Sequence, residues 1–223
     1  MTREAAYDEH ADWYAAYVQG PARRHTAQTA EALSELLGDG QGQCLDLGCG
    51  TGIHADTIRA LGWQPVGVDV SIGQLQHARQ MLPVAVADGG RLPLADSSVE
   101  AATATLVHTD VADWGRVVNE VARVLHYGGR FAYVGVHPCF VGPFAKRGAG
   151  EVRLFTGYWD RSVQFSGPGM AEGIRPRVGV RHRTLADVLG ALPAAGLALD
   201  AIKEVGSDGF PELLAFRALK RNE

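Results

Sequence analysis

Between Cys44 and Thr57 the chain reads Cys-Leu-Asp-Leu-Gly-Cys-Gly-Thr-Gly-Ile-His-Ala-Asp-Thr, and no other stretch limits the possible folds as sharply. Cys44-Leu45-Asp46-Leu47 has the character of a buried strand end. Gly48, Gly50 and Gly52 follow as a tight turn, and from Ile53 the pattern is helical. Glycines at spacing two let the backbone take positive φ and approach a ligand with no Cβ in the way. The helix behind them aims unpaired N–H groups over the loop. A strand, a glycine turn and a helix in that order make a nucleotide- or nucleoside-binding corner of an α/β sheet.

The flanking pattern agrees. Residues 7–38 predict two helices, Tyr7–Val18 with aromatics at Tyr7, Trp13, Tyr14 and Tyr17, and a second from Pro21 to about Leu37. Strands are expected at Gln43–Leu47, Gln64–Val70, Val84–Ala87, Val99–Val107 and Arg130–Val136. Helices are expected at Ile53–Leu61, Ser71–Met81 and Ala112–Leu125, the last with Val117, Val118, Val121, Val124 and Leu125 at helical period. Tyr127-Gly128-Gly129 predicts a turn before the fifth strand. This alternation argues for a parallel sheet covered on both faces. Residues 137–180 break the rhythm with Pro138, Pro143, Pro168 and Pro176 among Phe140, Phe144, Phe155, Tyr158, Trp159 and Phe165. So aromatic a stretch predicts an ordered insertion at the ligand-side rim, and long loops in small domains usually serve function. Thr184 then caps a helix to about Ala195, and Leu199–Val205 and Leu213–Leu219 predict an edge hairpin turning at Ser207-Asp208-Gly209.

With 223 residues the simplest organisation is one domain, 1–223, with residues 1–40 as a helical cap and 137–180 as the substrate-side insertion. A formal net charge of −4 without a basic stripe gives no expectation of nucleic acid. No apolar run approaches about 18 residues, so no membrane span is expected. Cys44, Cys49 and Cys139 form no CxxC pair, and together with a Met1-Thr2-Arg3-Glu4 start unlike a secretory signal they point to the cytoplasm. The eight histidines show no ligand-spaced pair, so no metal is expected.

Two ligands compete for the glycine turn. A dinucleotide fingerprint needs G-x-G-x-x-G/A, but here the third glycine comes one residue early and Ile53 stands where helix and strand must pack closely. Asp46 would also set a carboxylate beside a pyrophosphate. A cationic ligand without phosphate removes the conflict. Asp46 then faces a positive amino group, directly or through water. Asp69 ends the second strand and accepts from ribose hydroxyls. Asp88 ends the third and accepts from an adenine amino group, with Val70 and Ala87 against the ring. The ligand so described is S-adenosylmethionine.

Leu45-Asp46-Leu47-Gly48-Cys49-Gly50-Thr51-Gly52, Val68-Asp69, Ala87-Asp88 and the run from Glu120 to Arg130 together resemble the class I S-adenosylmethionine-dependent methyltransferases. The likeness is to the small-molecule, ubiquinone/menaquinone-biosynthesis type and spans about residues 43–136. His126-Tyr127-Gly128-Gly129 stands where that family usually has Lys/Arg-Pro-Gly-Gly. The resemblance implies a Rossmann-like, doubly wound seven-stranded sheet in the order 3-2-1-4-5-7-6, with the last strand antiparallel. It also implies in-line transfer of the sulfonium methyl, leaving S-adenosylhomocysteine. The cofactor shell it implies is Tyr14, Asp46, Gly48, Cys49, Gly50, Asp69, Val70, Ala87, Asp88, Gly89, Leu106 and His108.

The sulfonium is already activated, so transfer depends chiefly on alignment, and a base is needed only for an acceptor with a high pKa. His108 after strand four and His137 after strand five are the candidate catalytic residues. For His108 the alternatives are cofactor contact and a rim position without chemistry. For His137 they are a place in the acceptor pocket, its direction held by Pro138, and a hydrogen bond that ties the insertion down. Phe140, Phe144, Tyr158 and Trp159 join His137 as candidates for acceptor binding. The basic cluster Arg175, Arg177, Arg181, His182 and Arg183 is expected to be a solvated face before an acidic-ligand site. The expected partner is a small-molecule acceptor presenting a hydroxyl, amine or activated carbon, to a monomer or homodimer. The alternative is a methyltransferase fold that uses the cofactor without transfer, as a cyclase, isomerase or regulatory module.

Overall fold

The computed structural model describes residues 5–148, 150–170, 173–207 and 209–221. Met1-Thr2-Arg3-Glu4 and the Asp208 of the expected hairpin turn lie outside them. A short 3-10 turn, Asp8–His10, leads into α1 (Ala11–Gln19) and α2 (Arg23–Leu37). Then come β1 (Gln43–Leu47), α3 (Ala55–Ala60), β2 (Gln64–Asp69), α4 (Ile72–Ala78), β3 (Val84–Val86), β4 (Val99–Thr105), α5 (Trp114–Val124) and β5 (Leu125–Val136). The insertion contains β6 (Ala145–Gly148), β7 (Glu151–Leu154), β8 (Val163–Gln164), α6 (Arg175–Val178) and β9 (Val180–Arg181). Helix α7 (Leu185–Ala194) and the long strands β10 (Leu197–Ser207) and β11 (Phe210–Lys220) close the chain.

The main sheet has seven strands in the order β10-β11-β5-β4-β1-β2-β3, with β11 antiparallel to both neighbours and the β1–β5 pairings parallel. This is the expected doubly wound, Rossmann-like arrangement. β1 is central, and its alternate residues feed different layers. Leu45 and Leu47 pack with α5 and α7, whereas Cys44 packs with α2, Ile58 and Trp63. On α5 the residues Trp114, Val117, Val118, Val121 and Val124 are at most 2% exposed, and each such burial stabilises by about 1.5–3 kcal/mol. Thr184 caps α7 through a reciprocal capping box with Asp187.

Two local expectations shift. The helix expected from Ile53 begins at Ala55, because residues 51–54 remain part of the turn. Tyr127-Gly128-Gly129 is not a free turn but lies inside β5. Val99 pairs with Leu125 and Ala101 with Arg130, so the register shifts across residues 126–129, where Gly128 takes φ 79°. Among its described residues the insertion carries a small antiparallel hairpin of β6 with β7.

Candidate functional site

At the carboxyl end of β1 the chain must turn sharply to enter α3. Gly48, Gly50 and Gly52 take φ 67°, 53° and 76°. A Cβ at Gly48 would stand 2.5 Å from Val107 Cγ2, so the backbone runs against the end of β4 as only glycine permits. Gly48 N–H donates to the Val68 carbonyl at 2.8 Å, and Gly50 N–H donates to Asp69 Oδ2 at 2.9 Å. Ser71 N–H donates to the other oxygen of Asp69 at 2.8 Å. One carboxylate thus joins the glycine turn to the start of α4, and each oxygen keeps a lone pair. Burial pushes the Asp69 carboxyl up, against the bonds from Ser71 and Gly50, which pull it down.

Above this corner lies a cavity of about 370 Å³. Its floor is Gly48, Gly50 and Leu47, and one side is Asp69, Val70, Ala87, Asp88 and Gly89. Thr105, Leu106 and Val107 form the other side. Leu106 is a non-glycine residue at φ 59°, held there while its N–H donates to the Val134 carbonyl at 2.7 Å. Such a conformation costs on the order of 1 kcal/mol and tends to occur where function requires it.

Asp46 and Cys49, both expected in the cofactor shell, are buried and do not line the cavity. Asp46 is 1% exposed and accepts from Thr103 Oγ1 at 3.1 Å. Burial pushes its carboxyl up to about 7, with the Thr103 bond opposing and the charge of Asp69 adding to the rise. The Cys49 sulfur lies against Gly67, where a Cβ would come within 2.7 Å of it, and burial pushes the thiol up.

Three separate parts of the chain roof the cavity. Tyr7 Oη donates to Asp110 Oδ1 at 3.3 Å, and Arg175 of α6 donates to the same oxygen at 2.5 Å. Burial alone would pull the Arg175 guanidinium down, but the adjacent Asp110 outweighs it and holds it raised. Tyr14 lies edge-on to Tyr7 at 5.4 Å, and burial pushes its hydroxyl up to about 12. Arg177 stacks over Trp13 at 4.6 Å, tying α6 to α1. The N-terminal segment is anchored below by Asp8, which accepts from Ser71 Oγ at 2.6 Å and Gly73 N–H at 3.0 Å.

Sequence reasoning missed Gln74. It sits in the first turn of α4, is 2% exposed, and lines the cavity with neither amide atom partnered. Its Oε1 is 3.6 Å from where a Gly50 Cβ would be. Leaving a buried amide unpaired costs about 1–3 kcal/mol, which makes Gln74 a donor and acceptor held ready for a ligand. The only trace in the sequence was a polar residue three positions after the Ser71 cap. Arg175 and Asp110 were also missed as wall residues, Arg175 having been assigned to a solvated face.

The two candidate histidines lie away from this cavity. His108 is 1% exposed, with Nδ1 2.5 Å from Tyr133 Oη. Burial, aided by Arg183, brings its imidazole down to about 3. It lines a second cavity of about 90 Å³ together with Val136, Pro138, Val141, Pro143, Met170, Arg175, Val180 and His182. His137 lines neither cavity. Its Nε2 is 2.7 Å from Glu204 on β10, and its Nδ1 accepts from Cys139 N–H at 3.1 Å. Both ring nitrogens are therefore engaged in tying the insertion to the sheet. Phe140 packs on His137 and Phe210, Phe144 and Tyr158 pack around His182, and Trp159 is 72% exposed. These four also lie outside the linings of both cavities.

Residues 45–133 match the model of a methyltransferase domain family. A demethylmenaquinone methyltransferase of Mycobacterium sp. (strain KMS) is 38% identical over 96 residues, 42% of this chain and 42% of that protein. The chain spans about two fifths of the length of the curated relatives it matches. A crystal structure of an S-adenosylmethionine dependent methyltransferase from Mesorhizobium loti is similar over 85% of this chain and 95% of that one, at TM-score 0.69 and 24% identity. The [4+2]-cyclase SpnF is similar over 86% of this chain and 79% of its own, at TM-score 0.63 and 21% identity. At these identities the structural likeness establishes the fold. Among the described residues no helix is long and apolar enough to cross a membrane.

Proposed function

We propose, from the match of residues 45–133 to a methyltransferase domain family, that the chain is a class I S-adenosylmethionine-dependent methyltransferase that binds S-adenosylmethionine in the larger cavity and methylates a small-molecule acceptor. The observation that carries the reading is Asp69. Its carboxylate is fixed by two backbone N–H groups, and its remaining lone pairs are available at the cavity wall for ribose hydroxyls. Asp88, Val70 and Ala87 line the same cavity, and in this reading Asp88 accepts from the adenine amino group while Val70 and Ala87 flank the ring.

The glycine turn leaves room for the amino-acid end, and the Gln74 amide supplies a donor and an acceptor there. Asp46 acts from beneath as a counter-charge to an ammonium, since a carboxyl held near 7 ionises readily once a cation lies above it. Tyr7, Asp110 and Arg175 close the roof and keep water from the reacting centre. S-adenosylmethionine held by these residues would supply a sulfonium-activated methyl for transfer to the acceptor.

The similarity to demethylmenaquinone methyltransferases falls on the cofactor half of the chain. Acceptor choice is left to the insertion and the N-terminal helices, which we take as the acceptor-side parts of the domain. Isothermal titration with S-adenosylmethionine and S-adenosylhomocysteine, followed by transfer of labelled methyl to a panel of phenols, amines and activated carbons, tests the reading. Micromolar binding with labelled product supports it. Tight binding without turnover across the panel favours non-reactive use of the cofactor, and no binding overturns both.

A further inference from the structure

The smaller cavity holds a feature that the cofactor does not explain. His182 is 3% exposed and lines this cavity, and its Nε2 has no partner. The ring is clamped edge-on to Phe144 at 4.7 Å and tilted against Tyr158 at 5.0 Å. Gly142 makes room for the clamp, since a Cβ there would stand 2.9 Å from Phe144. The Tyr158 backbone favours a ring N–H. With Nε2 unpartnered, we assign that N–H to Nδ1, which leaves the lone pair on Nε2. Burial brings the imidazole down to about 4, so near neutral pH it is uncharged and Nε2 only accepts.

An unpaired buried acceptor costs about 1–3 kcal/mol, and the other nearby histidine is not in this condition, because Tyr133 engages His108. Among the described residues the rest of the lining is largely apolar, including Val141, Pro143, Met170 and Val180, and holds no carboxylate. The cation among them, Arg175, is already paired with Asp110. A charged occupant therefore finds no free counter-ion among these residues, whereas an uncharged one with a hydrogen-bond donor finds Nε2. A volume of about 90 Å³ holds several waters, each needing roughly 10–15 Å³, and so the functional end of a small organic molecule. Arg175 lines both cavities, and His108-Thr109 of this one follow directly on Leu106-Val107 of the other. The two cavities therefore share Arg175 as a wall residue.

Resting on the methyltransferase reading, we propose that this cavity is the acceptor subsite and that His182 Nε2 is its recognition atom. It selects an uncharged molecule that presents an O–H or N–H from an apolar body.

Phenol and toluene, alike in shape and different in the donor, are the probes. Each is titrated into protein saturated with S-adenosylhomocysteine, following the Met170 methyl and histidine ring signals by NMR. Phenol is expected to shift the Met170 and His182 signals and to bind at least tenfold tighter than toluene. In His182→Leu the preference should fall to within twofold, and His182→Gln, which keeps an acceptor oxygen, should retain part of it. S-adenosylhomocysteine affinity should stay within twofold in both variants. Equal binding of the probes to wild type, a Met170 signal that phenol does not move, or a preference that survives His182→Leu overturns the proposal. Should His182→Leu fail to fold, the wild-type preference and His182→Gln decide it. Failure of S-adenosylhomocysteine to bind wild type refutes the cofactor reading instead, and the probe comparison on the same protein still tests the cavity.

Discussion

Asp46 offers a prediction whose sign and size follow from its surroundings. It is 1% exposed, its one side-chain partner is Thr103, and burial holds its carboxyl near 7. In the unfolded chain the same group titrates near about 3.9. Between those values the folded protein keeps a proton that the unfolded chain has released. The contribution to stability is therefore full below about pH 4 and is lost as pH rises through about 7. Three units at 1.36 kcal/mol each make the charged carboxylate unfavourable by about 4 kcal/mol at pH 8. Asp46→Asn removes that charge, keeps an oxygen for Thr103, and adds an amide N–H₂ whose burial costs about 1–3 kcal/mol. The ligand-free variant should thus be about 1–3 kcal/mol more stable than wild type at pH 8, a rise in Tm of roughly 3–10 °C for a chain of this size. At pH 4 it should be equal or less stable. Urea denaturation of both proteins from pH 4 to 8 measures this. The difference between them cancels other titrating groups such as His54 and His108, which burial holds down to about 4 and 3. In the same variant S-adenosylmethionine should bind at least tenfold more weakly at pH 8. A stability difference that stays flat with pH refutes the account of Asp46, and unchanged affinity refutes its role as counter-charge.

Asp69→Ala removes a charged acceptor and leaves the Gly50 and Ser71 N–H groups unpaired, so S-adenosylhomocysteine affinity should fall by about 10–150-fold, from 1.5–3 kcal/mol. Calorimetry showing less than a threefold change would remove Asp69 from the site. His137→Ala should lower stability by about 1–2 kcal/mol through loss of the Glu204 and Cys139 bonds, with turnover within about threefold of wild type. A hundredfold loss of turnover at unchanged cofactor affinity would instead restore it as a base. Gly48→Ala combines a backbone at φ 67° with a Cβ 2.5 Å from Val107 Cγ2. It should cost about 2–4 kcal/mol in thermal or urea unfolding and weaken cofactor binding, and a variant as stable as wild type contradicts the close-approach argument.

Much of the fold and part of the candidate site are local properties, and the sequence alone determined those. The turn glycines, the carboxylates at the strand ends, the valine stripe of α5 and the Thr184 cap each depend on neighbours within a few positions. Period, spacing and φ preference carry that information. What only the tertiary structure decided is where side chains point when their partners lie far along the chain. Arg175 could be solvated or buried until Asp110, 65 residues earlier, met it at the cavity roof. His137 could face the acceptor side until Glu204, 67 residues later, drew it toward β10. In the sequence Gln74 is an ordinary polar residue, and His182 belongs to a basic cluster expected to be a solvated face. Only packing removes their water without supplying a partner, and that imbalance marks them as ready for a ligand.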